Sequence, residues 1–131
     1  MIFLDTSGIY ALADRDDANH DEAVRLFRMA LESGETMIIH NYILVESAAL
    51  LQRRLGPEIM LAFLDEAKSF KRVWIDEDLH EQAVGYLRKK SISRLSLVDA
   101  LSFIIMERAD ISHFIGFDRH FEDAGFSRYT R

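Results

Sequence analysis

Four acidic residues stand where solvated acids are not expected. Asp5 ends the apolar run Met1-Ile2-Phe3-Leu4, and Asp118 ends the run His113-Phe114-Ile115-Gly116-Phe117. Glu46 is the single charge in the stretch Tyr42 to Leu51, and Asp99 is the single charge in the stretch Ser96 to Met106. A solvated helix face shows charges at three- and four-residue spacing, whereas the neighbours of Glu46 on its own face are Tyr42, Ile43, Ala49 and Leu50. Glu46 is therefore expected in a cleft or at an interface. Ser96 and Ser102 flank Asp99 at three-residue spacing, so that helix carries a narrow Ser-Asp-Ser stripe through an apolar surface, as a lined pocket would require.

Carboxylates at the ends of two parallel strands, and on helices that neighbour strands, can meet at one sheet edge. Without a cation each disfavours the ionised form of the others, so at least one should have a raised pKa. A hard divalent cation removes the conflict, and all-oxygen ligation selects Mg²⁺ or Mn²⁺ over zinc. The chain has no cysteine and no His-Glu-x-x-His motif, and no histidine at the acidic motifs is expected to serve as base. Water activation then falls to the metal. One or two such ions can orient a phosphodiester, generate hydroxide and stabilise the leaving oxygen. Asp5 has a second reading as the residue that holds a strand-to-helix turn, and Thr6 or Ser7 are candidate N-caps of the helix that follows.

The elements that must position these acids alternate. A buried strand over residues 1–4 leads to a short helix over 7–13, and Asp14-Arg15-Asp16-Asp17 is a solvated loop before a helix over 19–32 with the apolar stripe Ala23, Phe27, Ala30 and Leu31. Gly34 stops it, residues 36–40 form a second strand, and His40 ends that strand as a structural hydrogen-bonding group. Asn41 can cap a helix over 42–55, and Gly56-Pro57 opens another to Phe70. Val73-Trp74-Ile75 reads as a strand, residues 76–90 as an amphipathic helix with acids first and bases last, 96–108 as a helix, and 113–117 as a strand. Residues 125–131 form a short edge segment. Alternation of this kind predicts a three-layer α/β/α sandwich around a four- or five-stranded, mainly parallel sheet, within one domain over residues 1–131.

Composition bounds the alternatives. With 131 residues, 49% of them hydrophobic, the chain can bury a sizeable core, and the lack of cysteine suits a reducing cytoplasm. No apolar run is long enough to suggest a membrane span. A net charge of −6 argues against a general nucleic-acid coat and leaves room for a nuclease whose acids gather at one spot. Lys89, Lys90 and Arg94 are read as a solvated face.

Phe3-Leu4-Asp5-Thr6-Ser7, Leu44-Val45-Glu46-Ser47-Ala48, Leu97-Val98-Asp99-Ala100-Leu101-Ser102 and Gly116-Phe117-Asp118-Arg119-His120-Phe121 together resemble the PIN-domain ribonucleases, and in length and layout the VapC toxins of toxin–antitoxin pairs. The resemblance implies a Mg²⁺- or Mn²⁺-dependent endoribonuclease with Asp5, Glu46, Asp99 and Asp118 as metal ligands, Thr6 or Ser7 as polar helpers, RNA as substrate and an antitoxin protein as partner. Nucleases of RNA processing and decay share the domain, and a binding module that keeps the fold without activity is the non-enzymatic alternative. A haloacid-dehalogenase-type phosphatase expects a second Asp where Ser7 stands. A receiver domain expects a late Lys that the strand before Asp118 lacks. Leu50, Leu51, Met60, Phe63 and Leu64 exceed what one small sheet should cover, and predict a symmetric homodimer.

Overall fold

The computed structural model describes residues 1–90 and 94–130. Arg131, the basic end of the final segment, lies outside the described residues. Its five strands are β1 (Ile2–Leu4), β2 (Met37–His40), β3 (Lys71–Val73), β4 (His113–Ile115) and β5 (Ser127–Arg128), in the order β3-β2-β1-β4-β5. Every pairing is parallel, with Phe3 opposite Ile38 on one side and Phe114 on the other. The helices are α1 (Thr6–Ala13), α2 (His20–Glu32), α3 (Asn41–Leu55), α4 (Pro57–Glu66), α5 (Glu77–Lys90), α6 (Leu97–Arg108) and α7 (Arg119–Asp123). Helices α1 to α4 pack among themselves, as do α5 to α7, which gives the sheet a helical layer on each side.

Burial explains why β1 is apolar throughout. A strand at the centre of a parallel sheet is covered on both faces, so its residues do not alternate with polar ones; Ile2, Phe3 and Leu4 are all buried. Phe3 stacks on Phe121, which meets Phe103 of α6 edge-on at 5.0 Å and Phe114 of β4 at 4.8 Å. The sheet is thereby clamped to α6 and α7. Gly8 allows the close approach that brings α1 over β4, since a Cβ there would lie 2.7 Å from the Ile115 carbonyl oxygen.

Several local expectations are corrected. The N-cap of α1 is Asp5, not Thr6 or Ser7, because its carboxylate reaches back to the Ser7 amide. His40, not Asn41, caps α3, with Nδ1 accepting from the Ile43 amide, while the Asn41 side chain is taken by the Ile75 amide. The third strand ends at Val73, two residues earlier than expected, and leaves Trp74 exposed. In α2 it is Leu26 that faces the core and Leu31 that is exposed. Leu51 and Phe63 pack in the chain's own core.

Candidate metal and active site

The sheet order reverses between β1 and β4: the chain runs outward through β2 and β3, then returns to the far side of β1. Ligands bind parallel sheets at such a switch point, outside the carboxyl ends of the strands. Asp5 leaves the end of β1 there, and Asp118 follows β4. Asp5 is buried, and its Oδ2 accepts from the Ser7 hydroxyl at 2.6 Å and the Ser7 amide at 3.3 Å. The same hydroxyl oxygen accepts from the Phe117 amide at 2.8 Å. Ser7 therefore ties the loop after β4 to the acid after β1. Gly116 is needed between them, since a Cβ on it would lie 2.9 Å from the Asp5 Cβ.

Asp99 enters from the first turn of α6, where it forms a capping box with Ser96: the Asp99 amide donates to the Ser96 hydroxyl at 3.0 Å, and the Ser96 amide to Asp99 Oδ2 at 3.3 Å. Ser102 lies on the same helix but turns to His40 (3.0 Å), so the expected Ser-Asp-Ser stripe serves two separate networks. Asp118 caps α7 by accepting from the His120 amide at 2.9 Å. That turn folds the His120 ring back over the acids. Its Nδ1 lies 3.3 Å from both Asp99 Oδ2 and Asp118 Oδ1, and Asp99, Asp118 and His120 offer ligand atoms within 4.8 Å of one another.

His120 lies among the acids, at motifs where no histidine was expected to serve as base. The residue stood in plain view in Asp118-Arg119-His120; what was missing was the cap, which sends residue 120 back toward the acid that precedes it. Gly116 was equally visible, and only the approach of Asp5 gives it meaning.

Glu46 differs from the other three. It is exposed, not buried, yet its Oε1 accepts from the Thr6 hydroxyl at 2.6 Å. The Ser47 hydroxyl in turn donates to Thr6 Oγ1 at 3.3 Å. The cleft expected around it is an open depression of about 410 Å³ shared with Asn41, Tyr42, Val45 and Val98. Thr6 thus holds Glu46 toward the end of β1, while Ser7, one residue on, holds Asp5.

Burial pushes the Asp5 carboxyl up to about 6, reinforced by the charges of Asp99 and Asp118 and opposed by its bond from Ser7. Oxygen donors in this number, one of them kept from ionising easily, fit a divalent cation, whose charge would offset both burial and repulsion. The ring nitrogen of His120 adds a donor compatible with borderline metals. Lys89, Lys90 and Arg94 are exposed.

The model for the PIN domain matches residues 2–127. The chain belongs to the PIN-domain family. It is 34% identical over 128 residues to the 23S rRNA-specific endonuclease VapC20 of Mycobacterium tuberculosis, in strains CDC 1551 and H37Rv alike, covering 96% of this chain and 95% of the relative. The crystal structure of VapC20, a sarcin–ricin-loop-cleaving toxin, superposes with a TM-score of 0.85 at 31% identity over 97% of each chain. The α/β/α sandwich with its all-parallel sheet is that of a VapC-like PIN domain.

Proposed function

We propose that this PIN domain is an endoribonuclease that hydrolyses phosphodiester bonds with Mg²⁺ or Mn²⁺, and that it is the toxin of a type II toxin–antitoxin pair. The observation that carries the reading is the meeting of Asp5, Asp99 and Asp118 at the switch point of the sheet, with Asp5 held near pKa 6. Asp5, Asp99 and Asp118 would hold the cation, and Glu46 stands beside them through Thr6. The bound cation would supply Lewis-acid polarisation of the phosphate and a water of lowered pKa. Ser7 orients the Asp5 carboxylate, Thr6 orients Glu46, and the His120 imidazole lies where it can hold or pass a proton between Asp99 and Asp118.

A ribosomal RNA loop is the substrate class named for the VapC20 relatives, and a single-stranded RNA loop is the substrate proposed here. The antitoxin reading draws support from an apolar groove of about 340 Å³ between α1, α2 and α4, lined by Leu12, Phe27, Ile59 and Phe63, which suits an apolar helix of a partner. Ile59 and Leu61 of α4 are exposed and remain available for a homodimer. Among the described residues no helix is long and apolar enough to cross a membrane, and action on cytoplasmic RNA follows from the proposed substrate.

The test is cleavage of single-stranded RNA by purified protein with Mg²⁺, with Mn²⁺ and with EDTA. Cutting that persists in EDTA would sink the metal-dependent reading, and binding without cutting under every condition would leave an inactive RNA-binding module. A neighbouring gene for a DNA-binding antitoxin separates the toxin from a nuclease of RNA processing.

A further inference from the structure

The depression beside Glu46 adjoins two residues of the acidic motifs. Glu46 forms one of its walls, and Val98, the residue before Asp99, forms another. We propose that this depression, bounded by Asn41, Tyr42, Val45, Glu46 and Val98, is a subsite for one unstacked nucleobase of the RNA next to the bond that is cut. The proposal rests on the nuclease reading above and adds to it the place where the substrate is gripped.

Its chemistry selects a base over a phosphate. Among the described residues no Lys or Arg lines the depression, and the Glu46 carboxylate would repel an anion. The remaining walls are an aromatic ring, two valines and an amide, which match the flat apolar faces and polar edge of a base. Val45 is 67% exposed, so it fills no place in the core. The Tyr42 ring is fixed in advance: its hydroxyl lies 2.7 Å from His80 Nδ1, and the two rings meet edge to face at 5.9 Å. Asn41 is oriented as well, because its Oδ1 accepts from the Ile75 amide at 2.6 Å, which leaves the Nδ2 donors for an acceptor on the base edge.

Position supports the same occupant. Helix α3 leaves from the end of β2, the strand beside β1, so the depression on it lies at the same sheet edge from which Asp5 leaves. Trp74, 66% exposed, is the residue before the Ile75 whose amide Asn41 holds. It offers the next base in the strand a second stacking surface.

The experiment uses the full chain and a 5′-labelled single-stranded RNA whose cut has been mapped with the Mg²⁺-loaded protein. Affinity is then read by fluorescence anisotropy in EDTA, for the intact RNA and for versions with one base at a time removed. Removing one base beside the cut is expected to weaken binding by about ten-fold, as stacking of one base provides. In Val45→Asp the ratio of intact to abasic affinity should fall toward one, a readout in which any general repulsion of phosphates cancels. Trp74→Ala should weaken binding while keeping that ratio. A wild type indifferent to every single abasic site, while it still binds and cuts the RNA, overturns the subsite and leaves the nuclease standing. An unchanged ratio in Val45→Asp, with sedimentation showing loss of a dimer, would assign the depression to a second copy of the chain instead. Absence of both binding and cutting removes the nuclease reading and the subsite with it.

Discussion

Asp5 and His40 occupy equivalent places on neighbouring strands. Each ends a buried parallel strand and caps the helix that follows, each accepts from a backbone amide of that helix, and each is bonded to a serine hydroxyl. Burial keeps both from charging easily: the Asp5 carboxyl is pushed up to about 6 and the His40 imidazole down to about 4. Their surroundings separate them. His40 faces neutral partners, Ser102 and the Phe3 and Tyr42 rings, and its hydrogen bonds link β2 to α6. Asp5 faces Asp99 and Asp118, whose charges add to the effect of burial. The same fold position thus carries a structural lock among neutral groups on one strand and an acid among other acids on the next.

The largest effect expected from breaking this contrast is at Asp5 itself. Asp5→Asn keeps the shape of the cap and should lower Mg²⁺-dependent cleavage by about 100-fold or more, the scale on which a preorganised electrostatic group acts. In EDTA the same variant should be the more stable protein at pH 7. A carboxyl with a raised folded pKa contributes stability that is present below its unfolded value of 3.8 and lost as pH rises through about 6. The charged wild type is therefore penalised at neutral pH, by roughly 1–3 kcal/mol, and saturating Mg²⁺ should reverse the order. Thermal melting with EDTA and with Mg²⁺ reads both. An Asp5→Asn protein that melts lower in EDTA at pH 7 would make Asp5 a structural cap and no more.

Next in size is Gly116→Ala, whose Cβ would press on the Asp5 Cβ at 2.9 Å and the Ser7 hydroxyl at 3.2 Å. A cost of about 1–3 kcal/mol is expected for overpacking a rigid contact, with weaker Mn²⁺ binding by calorimetry because Asp5 must move. Unaltered Mn²⁺ affinity would mean that Asp5 lies outside the cation's reach. A smaller contrast compares the two serines. Ser7→Ala leaves the Phe117 amide without its acceptor, and Ser102→Ala removes the Ser102 hydroxyl from His40 Nε2, at about 1–2 kcal/mol each. Only the first should lower metal affinity, and equal losses in both variants would erase the distinction between site and lock.

How much of this was legible depended on range. The acid after an apolar run marks a strand end locally. Asp5 follows β1 directly, and Asp118 follows β4 after Gly116 and Phe117, because the strand expected over 113–117 stops at Ile115. The alternation of elements gave the layers and the parallel sheet. Caps were only partly legible, Asp5 standing beside Thr6 and Ser7 as a candidate at α1 and His40 being missed by one residue at α3, because which side chain reaches the free amides depends on where each strand releases the chain. His120 was visible as a residue and illegible as a contact, since its approach to Asp99 bridges 21 positions in sequence. Glu46, read as lying in a cleft or at an interface, lines an open depression, exposed, and is held there by Thr6.

The finest test of the comparison is pH dependence, because the two groups tilt stability in opposite directions over one window. His40 has a folded pKa below its unfolded value of 6.5, so its contribution is complete above 6.5 and is lost as pH falls toward about 4. The contribution of Asp5 is complete below 3.8 and is lost as pH rises toward about 6. Between about pH 4 and 6 the slopes oppose, each at most about 1.4 kcal/mol per pH unit, and in the metal-free wild type they largely cancel. Each variant should uncover the other slope. Asp5→Asn is expected to gain stability over wild type steadily as pH rises through this window. His40→Gln, which retains an N–H for Ser102, should instead close its gap with wild type as pH falls from 6.5 to 4. Urea midpoints in EDTA at half-unit pH steps, taken as differences from wild type, isolate these slopes from those of the surface carboxylates. A His40→Gln deficit that is the same at pH 4 and pH 7 would mean that His40 ionises as freely folded as unfolded, and the likeness between the two strand ends would then be one of position alone.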